Sequence, residues 1–92
     1  MFENMKTARQ LERYFKGAAN HWRLDILYLV AKNDGLTLES IAEILGGNLK
    51  TISEHTRRLV YAGLLDKKYQ GREVAHSVSP YGKKFVEFSK TF

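Results

Sequence analysis

The chain has 92 residues, which is enough for one small domain and leaves no room for a second. Hydrophobic residues make up 43% and charged residues 27%, an ordinary globular balance, and the absence of cysteine excludes disulfides and thiolate metal sites. The net charge of +5 divides unevenly: residues 1–47 carry six Lys/Arg against six Asp/Glu, residues 48–92 carry nine against four, so the whole excess falls in the second half and points to an anionic partner there.

The beginning, MFENMKTARQ, lacks the apolar stretch and small-residue cleavage site of a signal peptide, and no apolar run approaches the roughly 20 residues of a membrane span. A cytoplasmic, nucleoid-associated location without membrane contact is therefore expected. Residues 6–19 read as a helix with Ala8, Leu11, Phe15 and Ala18 in a stripe, Tyr14 beside it and Gly17 as a sign of fraying. Asn20 is an N-cap for a second helix that runs toward Gly35 and is apolar on a broad face through Trp22, Ile26, Leu27, Leu29 and Val30. Arg23 and Asp25 lie within it, available to pair with neighbours.

Thr37 caps a short helix, LESIAEILG, whose inner residues are Leu38, Ile41, Ala42 and Leu45. Gly46-Gly47 breaks the chain, and Asn48 caps a further helix that stops at Gly63. Two capped amphipathic helices across a tight Gly-containing turn, spanning about residues 37–62, form a helix-turn-helix, with Ala42 small enough to permit their close crossing. Beyond Gly63 the pattern becomes that of strands: LLDKKYQ and REVAHSVS flank a Gln70-Gly71-Arg72 tip, with Leu65, Tyr69, Val74 and Val78 expected to face inward. This basic hairpin, about residues 64–79, is a wing.

Pro80 suits the first turn of a last helix, where Tyr81, Phe85, Phe88 and Phe92 recur on one side. The stripe can fold back on its own domain, and the favoured alternative is that it pairs with the first helix of a second subunit. The expected fold class is mainly α with a small β-hairpin (α+β), a winged helix-turn-helix of four helices, a two-stranded wing and a fifth helix. It forms one domain over 1–92, with terminal helices at about 6–19 and 80–91 serving dimerisation.

ANHWRLDILYLVA resembles the second-helix signature of ArsR-type winged-helix repressors, and LTLESIAEILGG followed by NLKTISEHTRRLVYAGLLDKKYQGREVAHSVS is similar to the rest of that family's core. The ending SPYGKKFVEF is similar to the final-helix entry of MarR-like relatives. The resemblance implies a homodimer that binds operator DNA, with a recognition helix at 49–62 and a wing at 66–75. Where metal sensors of the family carry Cys-x-Cys, this chain reads Leu36-Thr37-Leu38. Where others place His and carboxylate ligands on the last helix, it has Ser, Lys and Phe, so no metal or other cofactor is expected. Thr56 stands in place of a usual leucine and Glu54 in place of a more frequent basic or neutral polar residue.

A DNA-binding helix must fit a groove of about 12 Å and present donors, acceptors and cations. In helix-turn-helix docking the N-terminal end enters first, from Asn48 onward within the DNA-binding set, so Lys50, Thr51, Ser53 and Glu54 are the base-edge candidates. Arg57 follows as a guanine or phosphate contact, Arg58 as a phosphate contact and His55 as a phosphate contact or a packing residue at the flank, while Lys67, Lys68 and Arg72 would reach backbone or minor groove from the wing, whose Gln70 completes the DNA-binding set. Leu11, Tyr14, Phe15, Tyr81, Phe85, Phe88 and Phe92 are the expected dimer contacts, and an apolar pocket between the terminal helices could hold a small-molecule effector. His21, His55 and His76 show no ligand spacing, and no Ser-His-Asp set or Gly-rich phosphate loop is present, so catalysis is not expected. The expected partners are double-stranded DNA and a second copy of the chain. The competing reading is a winged helix used for protein or RNA contact.

Overall fold

The computed structural model describes residues 5–92; the expectation that the chain opens without a leader falls partly on residues 1–4, outside the described residues. The order is α1 (Ala8–Ala18), α2 (His21–Lys32), α3 (Leu38–Leu45), α4 (Leu49–Tyr61), β1 (Leu65–Gln70), β2 (Glu73–Val78) and α5 (Pro80–Ser89). This is a winged helix-turn-helix with a two-stranded antiparallel wing, paired from Leu65↔Val78 to Gln70↔Glu73. No described helix is long and apolar enough to cross a membrane.

The helix starts follow from local chemistry. Thr7 and Gln10 form a reciprocal capping box on α1, and the side chains of Asn20, Thr37, Asn48 and Ser79 each accept from backbone N–H groups of the next helix. The ends of α3 and α4 use one device twice. Gly46 and Gly63, with φ of 67° and 84°, turn the chain left-handed. Gly47 N–H then donates to Ala42 O at 2.9 Å, and Leu64 N–H to Leu59 O at 3.0 Å.

The core lies where α2, α3, α4 and the base of the wing meet. Ile26, Leu27 and Val30 of α2 are buried against Ile41 and Ala42 of α3, Ile52 and Leu59 of α4, and Leu64, Leu65 and Val78. A further tie joins the α2–α3 link to the wing. His76 is buried, its Nδ1–H donates to the Leu36 carbonyl at 2.9 Å, and its backbone N–H donates to the same oxygen, also at 2.9 Å.

Three local expectations change. Gly17 does not mark fraying: a Cβ there would run into the Cβ of Ala62, so the glycine lets α1 lie directly on the end of α4. Tyr69 does not face inward, being 74% exposed, while Val74 opposite it is half-buried. Both share the face of buried Leu65 and Val78, but only the base of the hairpin lies over the helices, and its outer half projects past them. Arg23 and Asp25 form no ion pair among the described residues; Asp25 is exposed, and Arg23 has its Nε buried without a hydrogen-bond partner.

Candidate nucleic-acid interface

Helix α4 is divided sharply between two faces. Ile52, Thr56 and Leu59, spaced by four and three residues, are buried. Asn48, Lys50, Arg57 and Arg58 are exposed, and Thr51, Ser53, Glu54 and His55 are partly so. The N-terminal end is firmly set, because Asn48 Oδ1 accepts from the N–H groups of Lys50 at 2.8 Å and Thr51 at 3.3 Å. Asn48 is thus occupied as a cap, while the side chains of Lys50, Thr51 and Ser53 have no hydrogen-bond or ion-pair partner among the described residues.

Glu54 sits differently from its neighbours. Its Oε2 accepts from Arg57 Nη2 at 2.6 Å and its Oε1 from Arg58 Nε at 3.1 Å. The Arg57 hydrogen bond holds the carboxyl below its ordinary pKa, with Arg58 adding to the effect, and Glu54 in turn raises Arg57. Both carboxylate oxygens are engaged in the free protein, so reading a cytosine amino group through Glu54 would first require release of an arginine. These are exposed pairs that solvent screens, so they aim the arginines rather than fasten them.

Behind this face, Arg23 Nε, His55 Nδ1 and Thr56 Oγ1 are buried without a hydrogen-bond partner among the described residues. The Thr56 hydroxyl is the plainest case, since the residue is 2% exposed among aliphatic neighbours of α4. A buried, unsatisfied hydroxyl costs about 1–3 kcal/mol. Thr56→Val keeps the shape and removes that cost. The variant should therefore be more stable by about 1 kcal/mol, with a melting temperature higher by about 4–8 °C in a thermal scan. A lower melting temperature would mean that the hydroxyl has a partner.

His55 is held below its ordinary pKa of 6.5, first by burial and then by the positive charges of Arg23 and Arg58, with Glu54 opposing and His21 adding slightly. The folded state binds fewer protons than the unfolded one, so this contribution is whole above pH 6.5 and stability falls as the pH drops through that value. His55→Gln should narrow the difference in melting temperature between pH 7.5 and pH 5; an unchanged difference would clear His55 of the acid sensitivity.

In the wing, Lys67, Lys68, Gln70 and Arg72 are all exposed. Tyr69 stands among them as an exposed aromatic that the alternation from Leu65 had assigned to the interior, and Tyr61 at the end of α4 is 88% exposed. The exposure of Tyr69 had no signal in the sequence, because only the overhang of the hairpin produces it, whereas helical spacing places Tyr61 on the outer face of α4 with Lys50, Glu54, Arg57 and Arg58. Among the described residues no three His, Asp or Glu side chains gather to hold a metal ion.

At the other side of the domain, α1 and α5 meet through their aromatic rings. Tyr14 and Tyr81 lie 5.1 Å apart between centroids, Phe15 lies 5.9 Å from Phe85 and 6.2 Å from Phe88, and Phe88 lies 5.2 Å from Phe92. The last-helix stripe therefore does fold back on the first helix of its own chain. It is nevertheless incompletely covered: Leu11, Phe15, Tyr81, Phe88 and Phe92 remain exposed, and only Tyr14 and Phe85 are half-buried.

A capped helix with a polar, cationic outer face, a glycine-ended turn before it and a basic hairpin after it define the winged helix-turn-helix class of DNA-binding transcriptional regulators. The chain belongs to the ArsR family of bacterial regulatory proteins, whose family model matches residues 21–67. No curated protein matches it. Among solved structures it is similar to the homodimeric winged helix-turn-helix DNA-binding domain Mb0332 of Mycobacterium bovis, at 26% identity over 94% of this chain and 85% of that one, with a TM-score of 0.81. It has the fold of HlyU from Vibrio cholerae (24% identity, 96% and 92% of the two chains, TM-score 0.80). It also has that of the transcriptional repressor PagR of Bacillus anthracis (23%, 87% and 92%, TM-score 0.79).

Proposed function

We propose that the protein is a homodimeric repressor that binds a specific double-stranded DNA sequence, inserting α4 into the major groove and laying the wing on the backbone or in the minor groove. The observation that carries this reading is the outer face of α4. Lys50, Thr51 and Ser53 stand free at a capped helix start, and the Arg57–Glu54–Arg58 cluster lies one to two turns behind. In this docking the first turns meet base edges, while Arg57, Arg58, Lys67, Lys68 and Arg72 neutralise phosphates. Release of Glu54 by its arginines as they meet phosphate makes the carboxylate a register device, because a misplaced helix leaves it facing the polyanion.

The dimer rests on the α1–α5 surface. A 92-residue domain buries a modest share of its surface, and a row of exposed Leu11, Phe15, Phe88 and Phe92 is an apolar face that a second copy would cover. The description of the Mycobacterium bovis domain as a homodimer supports this. It also makes the operator an inverted repeat, since a two-fold protein reads a two-fold site.

The test is a titration of duplex DNA at several salt concentrations, with sedimentation of the free protein alongside. A dimer neutralising about 6–10 phosphates loses about 10³–10⁵ in affinity between 50 and 200 mM salt. A flat salt response, or affinity that never rises above that for random sequence, contradicts the repressor reading and favours a protein-contact module. A 10.6 kDa monomer alone at micromolar concentration contradicts the dimer.

A further inference from the structure

The groove between α1 and α5 has a feature that covering an apolar face does not require. It is an open groove of about 340 Å³, walled by Leu11, Tyr14, Phe15, Tyr81, Phe85 and Phe88, yet its rim is cationic. Lys6 and Lys84 both line it. The Lys6 ammonium lies 4.7 Å from the Tyr81 ring centroid and 5.5 Å from that of Tyr14, and the Lys84 ammonium approaches the same Tyr81 ring at 5.7 Å. Arg13 lies outside the groove lining, 5.5 Å from the Tyr14 ring.

None of these three cations is paired with a carboxylate among the described residues, whose ion pairs are Lys16–Glu12, Arg57–Glu54, Arg58–Glu54 and Lys90–Glu87. Lys6 and Lys84 converge instead on the Tyr81 ring. The Tyr81 hydroxyl is the main influence that raises the Lys6 pKa above the ordinary lysine value. An aromatic wall beside two lysines without a carboxylate partner among the described residues is complementary to a molecule that is apolar over most of its length and carries one negative charge at its end. The groove's volume falls within the range of about 300–1,000 Å³ typical of small-molecule sites.

We propose that the α1–α5 groove is a binding site for an amphipathic monocarboxylate, an acyl or aryl acid whose body lies against Phe15, Phe85 and Phe88 while its carboxylate is held by Lys6 and Lys84. The acid occupies the floor of the groove and a second copy of the chain would form its roof, so occupancy changes how α1 and α5 present themselves to a partner. Binding to the single chain does not depend on the DNA-binding reading.

The experiment is calorimetric titration of the full chain with decanoate below its micellar concentration, with decanol and acetate as probes of the apolar and charged halves. Decanoate should bind saturably at one molecule per chain. Decanol should bind at least tenfold more weakly, and acetate not measurably. The double variant Lys6→Ala, Lys84→Ala should lose at least about tenfold in decanoate affinity while its decanol affinity is unchanged. Lys84 is exposed and Lys6 half-buried, and the melting temperature of the variant checks its folding. Equal affinity for the acid and the alcohol, undiminished decanoate binding by the double variant, or no saturable binding at all overturns the proposal. Duplex binding measured on the same preparation without ligand reports separately on the proposed function, so the two can fail independently.

Discussion

Replacing Gly82 with alanine should destabilise the domain more than any change on its surface. Gly82 is buried in the first turn of α5, and a Cβ there would collide with the carbonyl oxygen of Leu64 and come within 2.6 Å of Val78 Cγ1. The carbonyl cannot step aside, because it accepts from Ser79 N–H at 3.1 Å. Ser79 is itself fixed: its hydroxyl donates to Gly63 O at 2.6 Å and accepts from Gly82 N–H at 2.9 Å. This knot of four residues joins the end of α4, the start of the wing and the start of α5. Relief of the clash must therefore open the knot or push α5 outward. Overpacking of this kind costs about 3 kcal/mol, which in a domain of this size lowers the melting temperature by about 12–24 °C. A loss of less than about 4 °C in a thermal scan would show that α5 is free to shift, and the account of the α4–wing–α5 junction would fail with it.

The second large effect concerns DNA. Lys68 and Arg72 are exposed on the wing and have no carboxylate partner among the described residues, so in the proposed complex they are free to meet phosphate. Lys68→Ala with Arg72→Ala removes four cations from a dimer, and each phosphate contact contributes about 0.9 to the dependence of log affinity on log salt. The slope should therefore fall by about 3.6. Across the fourfold range from 50 to 200 mM salt that change amounts to about 150-fold in affinity. The loss should be alike for specific and random duplexes, since phosphate contacts position the protein and base contacts specify the sequence. Fluorescence anisotropy of labelled duplexes at stepped salt measures both quantities. An unchanged slope would remove the wing from the interface, and a loss confined to one sequence would make these residues base readers.

Features settled by short-range chemistry were legible in the sequence. Asn20, Thr37 and Asn48 cap the helices they precede, Pro80 opens α5 and Gly63 ends α4, because each needs only its own next turn to be satisfied. The helix-turn-helix and wing follow from that punctuation together with the change of period after Gly63. Features that depend on what lies across the fold were not legible. Gly17 looked like a weak helix end because nothing local reveals that Ala62 presses on it. Tyr69 fits a buried strand position, and only the reach of the hairpin past the helices exposes it. The candidate site was legible as a set of residue types on α4 and the wing. The engagement of both Glu54 oxygens was less visible, because i+3 and i+4 spacing permits such a clamp without dictating it. The aromatic residues of α5 were legible as a stripe, but their contact with α1 of the same chain, and the cationic rim above it, required the folded arrangement.

Selection of bound duplexes from a random-sequence pool tests the central claim most directly. A two-fold dimer with α4 in the major groove should enrich an inverted repeat whose half-sites are centred about 10–10.5 base pairs apart, or a multiple of that distance. Recovery of a pool no more enriched than the starting material, or of a motif without internal two-fold symmetry, would contradict it.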